Sequence, residues 1–117
     1  MKAAIQAGHP ITLEQMDTFV DGAAVGRAGD ITYSICRELL DDIITIPEGA
    51  VCTAMLEMYN RSGIVLEPAG ALTVAALRFC QDMIRGKNVC CILSGSNNDV
   101  YRMSEIQRRS KEYEESL

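Results

Sequence analysis

Apolar and polar positions fall into short blocks along this chain, and from Asp30 onward each block closes on a recognisable punctuation residue. Asp30 stands as an N-cap, and Ile31, Ile35, Cys36 and Leu39 form one stripe, which predicts a helix through Leu40. Asp41-Asp42 then lead into Ile43-Ile44-Thr45-Ile46, a β-branched run closed by Pro47 that reads as a strand. A helix follows from about Glu48 to Asn60, with Val51, Met55 and Met58 on one side as core residues and Gly63 as its stop. Ile64-Val65-Leu66 is a short apolar strand, residues 69–84 read as a helix ended by Gly86, and Val89-Cys90-Cys91-Ile92-Leu93 is a third apolar strand. A last helix runs from Asp99 into a charged tail, whose pairs such as Glu105–Arg109 suit a solvated face. Short strands that are apolar on both faces and alternate with helices predict a parallel sheet covered on both sides. The fold class is therefore α/β, with right-handed crossovers.

Residues 1–29 carry less regular signals and read as loop-rich. Thr12 and Gln15 form a capping-box pattern for a short helix over 12–19. Gly22, Gly26 and Gly29 punctuate a small-residue stretch, where close backbone approach or positive φ is expected. Nothing in the composition divides the chain, so residues 1–117 read as a single α/β unit.

Composition narrows the function classes. Apolar residues make up 48% of the 117 positions and charged residues 23%, which excludes a disordered or collagen-like chain. A net charge of −5 argues against a nucleic-acid footprint, and no apolar run approaches the ~20 residues of a membrane span. Five irregularly spaced cysteines, without a CxxC pair, read as buried small hydrophobes in a reducing compartment, hence a cytoplasmic protein with no metal site. His9, the only histidine, lies beside Pro10 and reads as an exposed loop residue.

Two strand-to-helix loops carry polar chemistry at the end where open parallel sheets bind ligands. Leu66-Glu67-Pro68-Ala69-Gly70-Ala71 puts a carboxylate before a helix of small residues, and Leu93-Ser94-Gly95-Ser96-Asn97-Asn98 offers hydroxyls, a glycine and amides. Each has an ordinary explanation: Glu67 as a helix cap, and Ser94 with Asn97 or Asn98 as turn and capping residues. Placed on neighbouring turns, however, they converge on one rim of the sheet.

Four strings in register change that balance: Phe19-Val20-Asp21-Gly22-Ala23-Ala24-Val25, Leu40-Asp41-Asp42-Ile43-Ile44-Thr45, Glu67-Pro68-Ala69-Gly70-Ala71 and Ile92-Leu93-Ser94-Gly95-Ser96-Asn97. Together they resemble threonine dehydratase, a fold type II (tryptophan synthase β-like) pyridoxal-phosphate enzyme, over most of the chain. The resemblance implies that Ser94 hydrogen-bonds the pyridine nitrogen of pyridoxal phosphate, that Gly22 lays its backbone near the ring, and that Glu67 is a polar, orienting carboxylate beside it. These three are the expected cofactor-binding residues. No catalytic residue is assigned.

Departures from the family pattern set the limits of that expectation. The Ser-x-Lys-x-Arg-Gly type motif that carries the Schiff-base lysine is not among these residues, and Lys2, Lys87 and Lys111 stand in other contexts. The substrate loop and the glycine-rich phosphate cradle are likewise outside the string of matches, which corresponds to the C-terminal third of the catalytic region. The expected function is a fragment or truncated paralogue of threonine dehydratase, inactive and not retaining the cofactor by itself. In the complete enzyme the reaction takes threonine to 2-oxobutanoate and ammonia in isoleucine biosynthesis. The alternatives are a small-ligand binding module and a structural partner chain. Exposed strand edges would favour a homo-oligomer, or association with a chain supplying the N-terminal half.

Overall fold

The computed structural model describes residues 1–117. Its elements, in order, are α1 (Lys2–Ala7), a 3-10 turn (Asp21–Ala23), α2 (Asp30–Leu39), α3 (Glu48–Ser62), α4 (Pro68–Ala76), α5 (Gln81–Ile84), a second 3-10 turn (Val100–Arg102) and α6 (Met103–Glu115). No helix is long and apolar enough to cross a membrane. The chain divides into two compact units where the sequence read as one. The first comprises Met1–Thr18 and Ala23–Thr45, the second Phe19–Gly22 and Ile46–Leu117.

In the first unit α1 packs on α2, and Gly8 closes α1 in the left-handed conformation at φ 81°. The helix expected over 12–19 is not formed. Thr12 instead makes an antiparallel bridge with Arg27, and the Leu13 N–H donates to the Gly26 carbonyl at 2.8 Å, so those amides serve a lateral pairing rather than a helical turn. Helix α2 starts at Asp30, one residue earlier than a capping Asp30 requires; Gly29 is the cap, and the Asp30 carboxylate pairs with Arg27 at 3.1 Å. The stripe of Ile31, Ile35 and Leu39 is exposed, and Tyr33 is the buried side chain of α2. His9 is exposed, as read.

The second unit is organised around α3. Residues Ala50, Val51, Cys52, Thr53, Ala54 and Met55 are all buried, so the helix is covered on more than one side; α6 and α4 supply the cover. Gly63, at φ 65°, stops α3 as its pattern predicts, and Met55 is core with Met58 packed against it. Alanines 54, 71 and 75 let the helices approach, while Phe19, Val20, Leu66 and Ile106 fill the space between them. Helices α3 and α6 come close at Gly49. A Cβ there would collide with Tyr113 and stand 2.9 Å from the Arg109 carbonyl oxygen. Just below, the hydroxyls of Thr53 and Ser110 share a buried 2.8 Å hydrogen bond, and Arg109 bridges Glu48 at 2.7 Å and Glu105 at 2.9 Å. Helix α6 is therefore a packed core element and not only a solvated face, since Ile106 is fully buried.

Two further expectations are corrected. The helix expected over 69–84 breaks after Ala76: the amides of Leu77, Arg78 and Phe79 turn back to carbonyls three residues earlier, and Arg78 leaves the axis to pair with Glu57 at 3.1 Å and Glu114 at 2.9 Å. The alternating parallel strands are also missing. Residues 43–46, 64–66 and 89–93 form no ladder, and the single bridge is the Thr12–Arg27 pair. A short strand apolar on both faces needs hydrogen-bonded neighbours and covering layers, and here Val65, Val89, Ile92 and Leu93 are exposed.

Replacing Gly49 by alanine should cost about 1–3 kcal/mol by overpacking the α3–α6 crossing, read as a lowered urea midpoint at unchanged slope. An unchanged midpoint would show that the crossing yields freely. The second expectation concerns Cys52, whose burial raises its thiol from 9.0 to about 11. The folded state resists ionising this group, so its contribution is complete below the ordinary thiol value and is lost as pH rises toward the folded one. Between pH about 9 and about 11, wild-type stability should therefore fall about 2–3 kcal/mol more than that of Cys52→Ala, measured by urea unfolding at each pH. Parallel curves for the two proteins would contradict this.

Candidate functional site

The two polar loops meet in the second unit. Pro68 occupies the first turn of α4 and fixes its start, with Glu67 extended just before it at φ −73° and ψ 160°. Glu67 makes no side-chain capping bond to α4, so its half-buried carboxylate is not used for the ordinary role open to it. That carboxylate packs directly on Gly95, where a Cβ would overlap it, and Gly95 adopts φ 66°, which only glycine takes without strain. The Glu67 N–H donates to the Gly95 carbonyl at 3.1 Å.

Residues 91–95 are held along α4 at successive points. The Thr73 hydroxyl donates to the Ile92 carbonyl at 2.8 Å, the Cys91 thiol donates to the Thr73 carbonyl at 3.7 Å, and Gly70 allows the Ser94 backbone to lie against the helix. The contacts step from Thr73 to Gly70 to Glu67 as the segment advances, so it runs antiparallel to α4 and ends at the helix start. Gly22 completes the cluster: a Cβ there would stand 2.9 Å from the Ala69 Cβ and 3.7 Å from the Glu67 Oε1. Glu67, Gly22 and the Ser94-Gly95 turn are thus neighbours, with Ser94 and Gly22 exposed.

The rest of the Ser94 loop does other work. The Asn98 amide closes a turn on the Ser96 carbonyl at 2.8 Å, and Asp99 is the capping residue, accepting from the Tyr101 N–H at 2.9 Å. The Asn98 Oδ1 is buried without a partner and borders an apolar cavity of about 290 Å³ lined by Met55, Leu66, Met103 and Ile106 among others. Two arginines that the sequence did not assign to the site act on the Gly22 segment. Arg102 donates to the Phe19 carbonyl at 2.7 Å, and both Arg102 and Arg109 lie over the Phe19 ring, 4.9 and 4.4 Å from its centre. Their distance along the chain from Phe19 leaves no local signal; the hint is one aromatic residue amid small ones.

Comparison with known proteins supplies the class. Residues 1–95 match the family model for pyridoxal-phosphate dependent enzymes, and the chain belongs to that family. It is 52% identical over 114 residues to the L-threonine dehydratase biosynthetic IlvA of Halalkalibacterium halodurans, covering 97% of this chain and 28% of that protein. With the L-threonine dehydratase biosynthetic IlvA of Bacillus subtilis it shares 52% identity over 109 residues, covering 93% of this chain and 26% of the relative. Among solved structures, the processed form of threonine deaminase isoform 2 from Solanum lycopersicum superposes with a TM-score of 0.87 at 28% identity, covering 94% of this chain and 31% of that one. The chain thus spans little more than a quarter of the length of the curated relatives it matches.

The residues present suit one edge of a pyridoxal ring. A serine hydroxyl and a carboxylate free of capping duty are polar groups of the kind that bind a pyridine nitrogen and a ring hydroxyl, and the two glycines bring them together by giving their side-chain space to Ala69 and to the Glu67 carboxylate. Replacing Gly70 by alanine should push the Ser94 backbone off α4 and break the Glu67–Gly95 bond. Hydrogen exchange at the Glu67 amide should accelerate about tenfold or more, with α6 amides unaffected. Unchanged protection at Glu67 would mean that the loop is held by other contacts.

Proposed function

We propose that this chain forms one wall of the cofactor site of a threonine dehydratase, the enzyme that converts threonine to 2-oxobutanoate and ammonia. The observation that carries this reading is the convergence of Glu67, Gly22 and the Ser94-Gly95 turn at the start of α4. The similarity to biosynthetic threonine dehydratases over 97% of the chain supports it. Pyridoxal phosphate, when bound, supplies the electron withdrawal that acidifies the substrate Cα and permits loss of the β-hydroxyl.

The chain's own residues hold and orient. The Ser94 hydroxyl offers the ring nitrogen a neutral partner, unlike an aspartate, which would favour a protonated ring. That choice suits elimination over amino transfer. Glu67, held against Gly95, fixes a polar edge beside the ring, and Gly22, which can pack against Ala69 because it has no side chain, presents its backbone there. None of the three is assigned a proton transfer. The lysine that binds the cofactor belongs to a motif outside these residues.

The unladdered segments at 64–66 and 89–93, in which Ile64, Val65, Val89, Ile92 and Leu93 are exposed, favour association, either with a chain bearing the N-terminal half of the catalytic region or with a second copy. A cytoplasmic setting fits this reading, which also implies that the 117 residues alone do not catalyse the reaction.

The purified chain, supplied with threonine and pyridoxal phosphate, should form 2-oxobutanoate no faster than the free cofactor does. Grafted in place of the matching segment of the Halalkalibacterium halodurans dehydratase, it should sustain turnover, and Ser94→Ala in the graft should lower kcat/KM by about tenfold or more. Turnover by the isolated chain, or a silent Ser94→Ala in an active graft, would overturn the assignment.

A further inference from the structure

Gly22 reaches Glu67 and Ala69 by an unusual route. Phe19–Gly22 group with the second unit, although the residues on both sides of them, up to Thr18 and from Ala23, belong to the first. Four residues cross over and return, and the segment contains no regular element beyond the start of a 3-10 turn. A short excursion of this kind keeps its place only if something holds it.

The hold comes from Arg102, which caps the start of α6, and from Arg109 in the middle of that helix. The Phe19 side chain is 4% exposed, with the guanidinium groups of Arg102 and Arg109 over its ring at 4.9 and 4.4 Å. Arg102 also donates from Nη2 to the Phe19 carbonyl at 2.7 Å and approaches the Asp21 carboxylate at 3.8 Å. Asp21 in turn accepts from the Gly22 N–H at 2.9 Å. A continuous path of polar contacts therefore runs from Arg102 to Gly22 itself. Arg109 is fixed from behind by Glu48 and Glu105. A planar guanidinium can serve a ring face, a carbonyl and a carboxylate together, which an ammonium group cannot match.

From this geometry we infer that Arg102 is a positioning residue for the cofactor wall, setting Gly22 against Glu67 through Phe19 and Asp21, with Arg109 as the second jaw on the ring. The inference rests on the reading of Glu67, Gly22 and Ser94 as that wall. Arg102 touches neither substrate nor cofactor in it; the residue acts through the backbone that it holds.

The test uses Arg102→Gln and Arg102→Lys, read in two settings. In this chain, hydrogen exchange of the amides at 20–23 should accelerate about tenfold in Arg102→Gln, with protection across α3 unchanged, and Arg102→Lys should fall between that variant and wild type. Equal acceleration across α3, or none at 20–23, would overturn the inference whatever the site binds. In the grafted dehydratase, titration of the apoprotein with pyridoxal phosphate, followed by cofactor absorbance, should show affinity weakened about tenfold by Arg102→Gln and partly restored by Arg102→Lys. Affinity lowered by Ser94→Ala but untouched by Arg102→Gln would sink the positioning role and leave the functional reading standing. Affinity untouched by either variant would remove that reading, and with it the purpose assigned to Arg102.

Discussion

Burial of α3 between α6 and α4 is the constraint on which the second unit depends. Six consecutive buried residues, Ala50 to Met55, cannot be covered by one neighbour, because successive helical positions point about 100° apart. Two helices must therefore approach from different sides. Gly49 allows the approach of α6, and the buried Thr53–Ser110 bond satisfies the polar groups brought in with it. Ile106, the largest of the fully buried side chains, occupies the same interface. Moving α6 would disturb all of these contacts at once.

The candidate site inherits its geometry from that packing. Glu67 and Gly70 sit at the start of α4, whose place is set by α3, and the segment 91–95 is laid along α4 by Thr73, Gly70 and Glu67. Gly22 is set instead from the cap of α6, through Arg102, Phe19 and Asp21. The two sides of the wall thus have different anchors, and both lead back to α3. The glycines and the charges divide the labour: Gly70 and Gly95 let backbone and carboxylate come within contact, and the arginines hold what has no packing of its own.

Legibility in the sequence followed how local each signal was. Helix α3 could be read closely because its apolar side and its stop at Gly63 lie within the helix itself. Helix α6 was read from its charges, but its buried Ile106 and Ser110 answer to residues on α3 far away in the chain. The stripe of Ile31, Ile35, Cys36 and Leu39 predicted the helix, yet Ile31, Ile35 and Leu39 are exposed, since a stripe records what a helix is fit to bury and not what lies beside it. The strands failed for a related reason: β-branched runs mark a preference, and a ladder requires a neighbour. Glu67, Ser94 and Gly22 were legible as a group through four strings in register, whereas Arg102 was not, because its partners lie at the opposite end of the chain.

The missing ladders bear on how the wall is held. In a parallel sheet, neighbouring strands would ordinarily set the positions of residues 66–67 and 94–95. Here one backbone bond, from Glu67 to Gly95, joins the two loops directly, and the remaining contacts of 91–95 are with the flank of α4. The approach of Ser94 to Glu67 is consequently a property of the helix and its glycines, present before any strand is paired. Pairing at 64–66 and 89–93 would satisfy exposed backbone and cover Val65 and Ile92, adding stability and register to a juxtaposition that α4 has already made.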